Sequence, residues 1–321
     1  MKTAPSQATG QDTSSGLLRG PSRGRRGRAD RDGPNLRTCL LGLLKLRPLM
    51  MAHLLLPLVA GGCASVPLKE AGTLKTYHNL GEAKGMLSKS RRYVDATALA
   101  SMKTVRVVPT TFTRDALSLV KTAQDRMLVA NALDREVCVA LSDKFQIVAS
   151  GEPADLTVRT VVTDVLPTDK AAAGLSTAVS LGGSAAGLPV GIPRLPVGLG
   201  GLAVEAEATD SKGVQRAAMV WARGANSISN GPRVSEVGDA YSLATTFGTE
   251  FSRMLVTGSE PSPLDIAVPS GQRIQSWLGG KPKYSACDSF GRAPGLSGIV
   301  AGKFGAPPEW TDKPSETVAQ Q

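Results

Sequence analysis

The sequence predicts an α+β domain in which a mostly antiparallel sheet of about four to five strands carries two helices packed on one face. Two observations predict this class. Between residues 103 and 257, short segments alternate apolar and polar residues, as half-buried strands do, and two longer segments repeat apolar residues at helical spacing. Their order, β-α-β-β-β-β-α, favours helices that cover one face of the sheet.

The strand pattern is clearest where valine, leucine or alanine alternates with charged or hydroxyl residues. In the first strand Pro109 interrupts the alternation, because proline cannot donate to a strand ladder. The last two strands meet at a turn over residues 210–213 and form a hairpin. The predicted strands lie in KTVRVVPTTF from Lys103, FQIVAS from Phe145, ADLTVRTVVTDVLP from Ala154, and the pair GLAVEAEATDSKG and VQRAAMVWARGAN from Gly201.

Two segments carry the helical pattern. In QDRMLVANALDREVCVALSDKF, which starts at Gln124, Val137 and Leu141 fall on one apolar stripe. In SEVGDAYSLATTFGTEFSRML, which starts at Ser235, aromatic and aliphatic residues recur at helical spacing, and Gly258 provides the stop.

A Gly/Ala/Pro-rich insert, residues 171–202, separates the third predicted strand from the fourth. Arg194 is its single charged residue. Uncharged loops of this length are uncommon and often functional. Two interpretations stay open: an interaction surface for lipid, protein or an apolar ligand, and a flexible loop that packs partly on the sheet. The density of Pro and Gly excludes a continuous membrane-spanning helix.

Together these segments resemble the bacterial lipoproteins grouped as domain of unknown function 3313. The resemblance rests on TVRVVP, LSDKFQIV, ADLTVRTVVTDVLPT, the insert, VEAEATDSKGVQRAAMVWARG and the last amphipathic helix, and it covers roughly residues 60–257. Because no activity is established for that family, the resemblance implies a domain type and a compartment in the cell envelope, and no chemistry.

The positive charge of the chain is concentrated at its N-terminus. Ten of the 37 basic residues but only three of the 27 acidic ones lie in residues 1–62, which therefore carry +7 of the formal net charge of +10. The Arg/Gly-rich stretch PSRGRRGRADRDG is able to bind phosphate by charge. However, this basic extension, residues 1–47, leads into an export-like signal, so we expect it to be absent from the mature protein.

Residues 48–62 have the composition of the apolar region of a signal peptide. The run is shorter than the roughly 20 residues that a membrane-spanning helix needs. The small residues Ala60, Gly61 and Gly62 stand directly before Cys63. This arrangement resembles a bacterial lipobox, in which the cysteine is lipidated and the signal is cleaved before it; Ala60 departs from the leucine that is commonest there. The alternative is a chance apolar run that ends in a buried structural cysteine.

The lipobox resemblance implies that Cys63 is the first residue of the mature protein and that its lipid anchors the chain in a membrane. Alanine, and not aspartate, follows the cysteine. By resemblance to sorted lipoproteins, this implies the outer membrane, with the domain facing the periplasm. Residues 63–102 are expected to form a tether and lead-in to the α+β domain, which spans residues 103–257.

Few other residues suggest chemistry. Cys138 and Cys287 are able to pair in an oxidising compartment, but Cys138 falls in a helical pattern, which favours the interpretation as a buried small hydrophobe over a disulfide. No cysteine or histidine spacing matches a zinc site, and His78 is interpreted as a surface residue. Glu205 and Glu207 can be drawn as an acid pair, but strand alternation places them on a solvent face. We therefore expect no catalytic residue, metal or cofactor.

Residues 258–321 are rich in Pro, Gly and Ser and are expected to be disordered, with docking of a partner through their aromatic residues as the alternative. The leading hypothesis is a structural or interaction lipoprotein whose envelope partner binds residues 171–202 or this tail. A cell-envelope enzyme that uses carboxylates is the alternative. A basic nucleic-acid-binding protein is the third, but we expect no nucleic acid as a partner because most of the charge leaves with the signal.

Overall fold

The computed structural model describes residues 64–185, 193–261 and 268–312. Its centre is a seven-stranded mixed sheet with the strand order β1-β7-β6-β5-β2-β4, in which β3 also pairs with β5. The strands are β1 Ser88–Val94, β2 Thr104–Val107, β3 Thr111–Phe112, β4 Gln146–Ile147, β5 Leu156–Leu166, β6 Gly201–Asp210 and β7 Gln215–Gly224. The helices are α1 Ala96–Ser101, α2 Arg114–Leu119, α3 Ala123–Leu141, α4 Lys170–Ala185, α5 Gly238–Thr257, α6 Gly271–Trp277 and α7 Gly295–Lys303.

The predicted α+β class is confirmed, but a mostly antiparallel sheet of about four to five strands is wrong. The β1–β7, β7–β6 and β6–β5 pairs are antiparallel, whereas β2–β4, β2–β5 and β3–β5 are parallel. The reason lies in the connections: α3 joins the β2–β3 region to β4 as a crossover, and such a connection returns the chain in the same direction. Seven α-helices occur among the described residues, where two were expected.

The helices α3 and α5 pack on one face of the sheet and enclose the main core. Trp221 of β7 meets Phe247 of α5 edge to face at 5.6 Å, and Phe247 stacks on Phe251 at 5.7 Å. α5 ends at Thr257 and is capped by Gly258, whose φ of 67° is the left-handed conformation that glycine adopts without strain. Both predicted helices are therefore confirmed.

The opposite face of the sheet is also covered. Residues 64–80, which we call the N-terminal strap, cross it and bury Val66, Leu74 and Leu80 against the alanine and valine side chains of β6 and β7. The expectation of a simple tether over residues 63–102 is therefore wrong for its described part, because the strap packs on the sheet and residues 88–94 form the edge strand β1.

The C-terminal residues 268–312 form α6, α7 and two short 3-10 segments, Ser285–Phe290 and Pro308–Trp310. We call these residues the C-terminal segment. A disulfide joins its Cys287 to Cys138 of α3, with 5.7 Å between the two Cα atoms. The expected disorder of residues 258–321 is therefore wrong for this segment, because a covalent link and buried ion pairs supply the stability that its composition does not.

The insert also contains more structure than a loop. Its first half is α4, and the described residues after it return to the sheet at Gly201. No helix among the described residues is both long enough and apolar enough to cross a membrane.

Candidate functional site

The predicted lipidation site, Cys63, and the cleavage residues Ala60, Gly61 and Gly62 lie outside the described residues. The described chain starts at Ala64, whose N–H donates to the carbonyl of Ala225, directly after β7, at 2.9 Å. The strap is therefore hydrogen-bonded to the end of the sheet at the residue that follows Cys63.

Two glycines make this attachment possible. A Cβ atom at Gly224 would overlap the carbonyl oxygen of Ala64, and one at Gly201 would overlap the side chain of Val66. Because glycine has no Cβ, the strap approaches the backbones of β6 and β7 closely at this point.

The strap is held further along by Glu205 of β6, which is fully buried. One of its carboxylate oxygens accepts the N–H of Ala71 at 2.7 Å, and the other accepts the N–H of Thr73 at 3.1 Å and the hydroxyl of Tyr77 at 2.7 Å. The Thr73 hydroxyl donates to that second oxygen as well. Four donors from residues 71–77 of the strap therefore converge on a single carboxylate.

Glu207, two residues further along β6, holds the next part of the strap. It accepts the N–H of Lys75 at 2.8 Å, the guanidinium of Arg159 at 2.6 Å and the side-chain amide of Gln215 at 3.0 Å. Burial alone would raise the pKa of Glu207, but these donors outweigh burial and lower it. Glu207 is therefore an anion whose charge is compensated inside the protein.

These contacts correct the prediction that Glu205 and Glu207 face solvent. They do lie on the face opposite the helices, but the strap covers that face. Burial, followed by the hydrogen bond to Glu205, raises the pKa of Tyr77 to about 12 despite an opposing backbone contact. The acid pair is thus committed to binding the strap, which leaves it without the free carboxylate that a catalytic role requires. Sequence reasoning missed the partners Thr73 and Tyr77, since about 130 residues separate them from the glutamates.

The single charge of the insert, Arg194, is also committed to structure. Its guanidinium pairs with Asp239 at the start of α5, and each side chain is only 1% exposed. Asp239 also accepts the N–H of Gly200 at 2.7 Å and the hydroxyl of Thr168 at 3.0 Å. This ion pair fixes the end of the insert against the helix layer.

The C-terminal segment covers charged residues of α3. Arg135 donates to Asp312 at 2.6 Å, and Asp312 also accepts the hydroxyl of Tyr241 at 2.6 Å. Burial and the charge of Asp312 raise the pKa of Tyr241. In the same way, Glu136 accepts from Arg273 at 2.8 Å, from the Trp277 indole at 2.9 Å and from the Thr249 hydroxyl at 3.0 Å.

Two cavities of similar size border the C-terminal segment. One, of about 370 Å³, lies between β4 and the segment and includes Glu152 and Tyr284. The other, of about 360 Å³, lies between α3, α5 and the segment and includes Arg135 and Trp277. Its acidic lining residue, Glu136, is the one already held by three donors.

The most perturbed carboxyl group lies elsewhere. Burial raises the pKa of Asp134 to about 7, although the backbone N–H and the hydroxyl of Thr110 both donate to it. Asp134 lines neither of the two cavities, so its raised pKa reflects the core and not access to a substrate. His78 is exposed, as predicted, and its N–H donates to the Thr76 hydroxyl. Among the described residues, no group of three or more His, Cys, Asp or Glu side chains is placed to hold a metal ion.

The fold and its buried polar clusters thus define an α+β domain that is closed by a strap at its N-terminus and by a disulfide-linked segment at its C-terminus. A family model described as a protein of unknown function, DUF3313, matches residues 69–251. Because the match covers more than half of the chain, the protein belongs to this family, and the resemblance drawn from the sequence is confirmed. The matched residues include the glutamates and most of the strap, whereas the C-terminal segment lies outside the match.

Comparisons beyond the family are weak. No curated protein is similar enough in sequence to count as a relative of this chain. Two structures of a PelC dodecamer from Paraburkholderia phytofirmans, one of them a variant, are 12% identical to the chain, with TM-scores of 0.32 and 0.29. Each comparison covers 55% of this chain and 100% of the PelC chain. At this level of similarity, the comparison carries no argument about function.

Proposed function

We propose that this protein is an outer-membrane lipoprotein, anchored by acyl chains on Cys63, whose domain faces the periplasm and acts through contacts with other envelope proteins. The observation that carries the proposal is the disulfide between Cys138 and Cys287. Structural disulfides form and persist in oxidising compartments and are rare in the cytosol. The apolar run before Cys63 predicts export of the chain. The disulfide and this run are independent features, and both favour the periplasm.

The attachment of the strap supports an anchor at Cys63. Ala64 is bonded to Ala225, and Val66 is buried. The chain is therefore fixed to the sheet at the residue next to the proposed acylated cysteine, so an anchor on Cys63 would lie close to the domain.

A role in protein contacts is supported by exposed apolar residues in the two regions that the sequence analysis proposed as binding surfaces, the insert and the C-terminal residues. In the insert, α4 exposes Leu175, Val179 and Leu181. In the C-terminal segment, α7 and its end expose several large aliphatic and aromatic side chains, namely Leu296, Ile299, Val300 and Phe304. Exposed apolar groups of this kind favour protein contacts, whereas the buried carboxylates Glu205, Glu207 and Glu136 are all held by internal donors.

The mass of the mature N-terminus tests this proposal. We expect the protein purified from envelopes to begin at Cys63 with a diacylglyceryl and an amide-linked acyl group, and Cys63→Ala to abolish both processing and lipid. Cys39→Ala is the matched control and should leave the mature mass unchanged. A mature chain that retains residues 1–62 contradicts the proposal and favours the basic cytosolic alternative.

A further inference from the structure

The start of the strap and the termini of β1, β5, β6 and β7 lie together at one end of the sheet. The register pairs Leu166 with Gly201, Gly201 with Gly224, and Ser88 with Arg223. The ends of β5 and β7 therefore lie beside the starts of β6 and β1. We call this the anchor end.

Exposed aliphatic side chains gather at the anchor end. Met86 and Leu87, just before β1, are 97% and 57% exposed, and Ile228, just after β7, is 90% exposed. Leu166 and Val197, at the end of β5 and before β6, are exposed as well. Exposed apolar side chains that share one end of a fold mark an interaction surface when they form a patch.

Hydrogen bonds of the surrounding turn hold Ile228 in its exposed position. The side-chain oxygen of Asn226 accepts the N–H of Ile228 at 3.0 Å and that of Ser229 at 2.7 Å. These bonds close a tight turn that holds Ile228 out from the sheet. Asn226 itself is buried, so the turn is fixed to the fold.

The position of the proposed anchor indicates what this surface contacts. The backbone N–H of Ala64 donates a hydrogen bond to Ala225 at the anchor end. Because consecutive Cα atoms lie about 3.8 Å apart, no free length of chain separates Cys63 from the sheet. Ala64, Met86 and Leu87 border the same surface hollow, together with the basic residues Lys89 and Arg223. An acyl group on Cys63 therefore brings these side chains to the lipid surface.

We infer that the anchor end lies directly on the bilayer, with Met86, Leu87 and Ile228 inserted among the headgroups and with Lys89 and Arg223 against anionic lipid phosphates. Apolar groups of membrane-surface proteins enter the headgroup boundary by roughly 5–10 Å, and nearby basic residues add attraction to anionic lipid. This inference rests on the proposed acylation of Cys63. It adds an orientation: the β6–β7 turn points away from the membrane.

Environment-sensitive fluorophores test the orientation in the acylated mature protein, which begins at Cys63 under the proposed function. Single cysteines are introduced as Met86→Cys, Ile228→Cys or Val214→Cys and labelled with a nitrobenzoxadiazole dye, since Cys138 and Cys287 are paired and buried. Val214 is the matched control, because it is an exposed aliphatic residue of the β6–β7 turn at the opposite end of the sheet. The proteins are mixed with vesicles of phosphatidylethanolamine and phosphatidylglycerol, and flotation is measured in parallel.

We expect the emission from positions 86 and 228 to shift to the blue and gain intensity several-fold on vesicles, and the emission from position 214 to stay that of an aqueous dye. If the protein floats but positions 86 and 228 behave like position 214, the orientation is wrong and the lipid anchor stands. If the protein carries no lipid and does not float, the proposed function fails and the orientation fails with it.

Discussion

Glu205→Gln tests whether the buried carboxylate holds the strap on the sheet. The substitution keeps the size of the side chain but replaces one acceptor oxygen with an NH₂ donor. Glu205 accepts four hydrogen bonds from the strap, and both of its oxygens face N–H donors, from Ala71 and Thr73. Whichever way the amide turns, it therefore meets a backbone N–H with another donor.

The size of the effect follows from these contacts. One charge-assisted hydrogen bond is lost, worth about 1.5–3 kcal/mol, and the remaining ones become neutral and roughly half as strong. Part of this loss is offset, because a neutral amide is less costly to bury than a carboxylate. We expect the strap to be destabilised by about 2–4 kcal/mol, which corresponds to faster amide exchange by a factor of roughly 30 to 1000.

Hydrogen exchange measured by NMR at Ala71 and Thr73 is the direct assay, with urea unfolding as the global measure. Glu70→Gln is the control, because Glu70 lies in the same segment but forms an exposed pair with Arg91, worth at most about 1 kcal/mol. Unchanged protection at Ala71 and Thr73 in Glu205→Gln would refute the reasoning. Equal loss of protection in both variants would show that the strap responds to charge in general and not to the buried acceptor.

Three other sites give measurable effects on stability. The native pKa of Asp134 is about 7, above its ordinary value of 3.8. The folded protein therefore loses about 4 kcal/mol of its free energy of unfolding as the pH rises from about 4 to about 7. Urea unfolding at several pH values should show this decline in the wild type but not in Asp134→Asn, and the same pH dependence in both proteins would contradict it. Replacing both Cys138 and Cys287 with serine removes a crosslink between residues 149 positions apart and should lower the free energy of unfolding by about 3–5 kcal/mol, as measured by thermal unfolding. A reductant should destabilise the wild type by the same amount and should not affect the variant. Gly224→Val places a side chain where the strap carbonyl lies and should cost about 1–3 kcal/mol, whereas Gly151→Val, in open space, should cost little; similar melting of the two variants would argue against close packing of the strap.

The central hairpin and the two long helices were predictable because a single periodicity dominates each of them. β6 and β7 alternate cleanly around the predicted turn, and α3 and α5 carry apolar stripes. β1 was not predicted, because its sequence SKSRRYV has no apolar alternation. Its polar residues find partners that lie far away in the chain: Arg92 pairs with Glu250 at 3.0 Å, and the Ser88 hydroxyl donates to the same carboxylate at 2.8 Å.

The two glutamates show where alternation misleads. Their period of two correctly places them on the face opposite the helices, but alternation carries no information on what covers that face. The covering segment binds the two glutamates through three backbone N–H groups, which every non-proline residue carries, and through the hydroxyls of Thr73 and Tyr77. The parallel strand pairs were missed for a related reason. β2, β4 and β5 all lie in predicted strands, but alternation within a strand does not tell which strand it pairs with or in which direction.

The disulfide makes the covalent structure of this protein depend on its location. In a reducing cytosol, Cys138 and Cys287 remain thiols, and only noncovalent contacts hold the C-terminal segment there, among them the Arg135–Asp312 ion pair and the core packing of Phe290. Under the proposed export route, the chain crosses the inner membrane before this crosslink exists, so it stays easier to unfold for as long as translocation requires. Oxidation in the periplasm then completes the molecule, and a copy retained in the cytosol is a less stable protein with the same sequence.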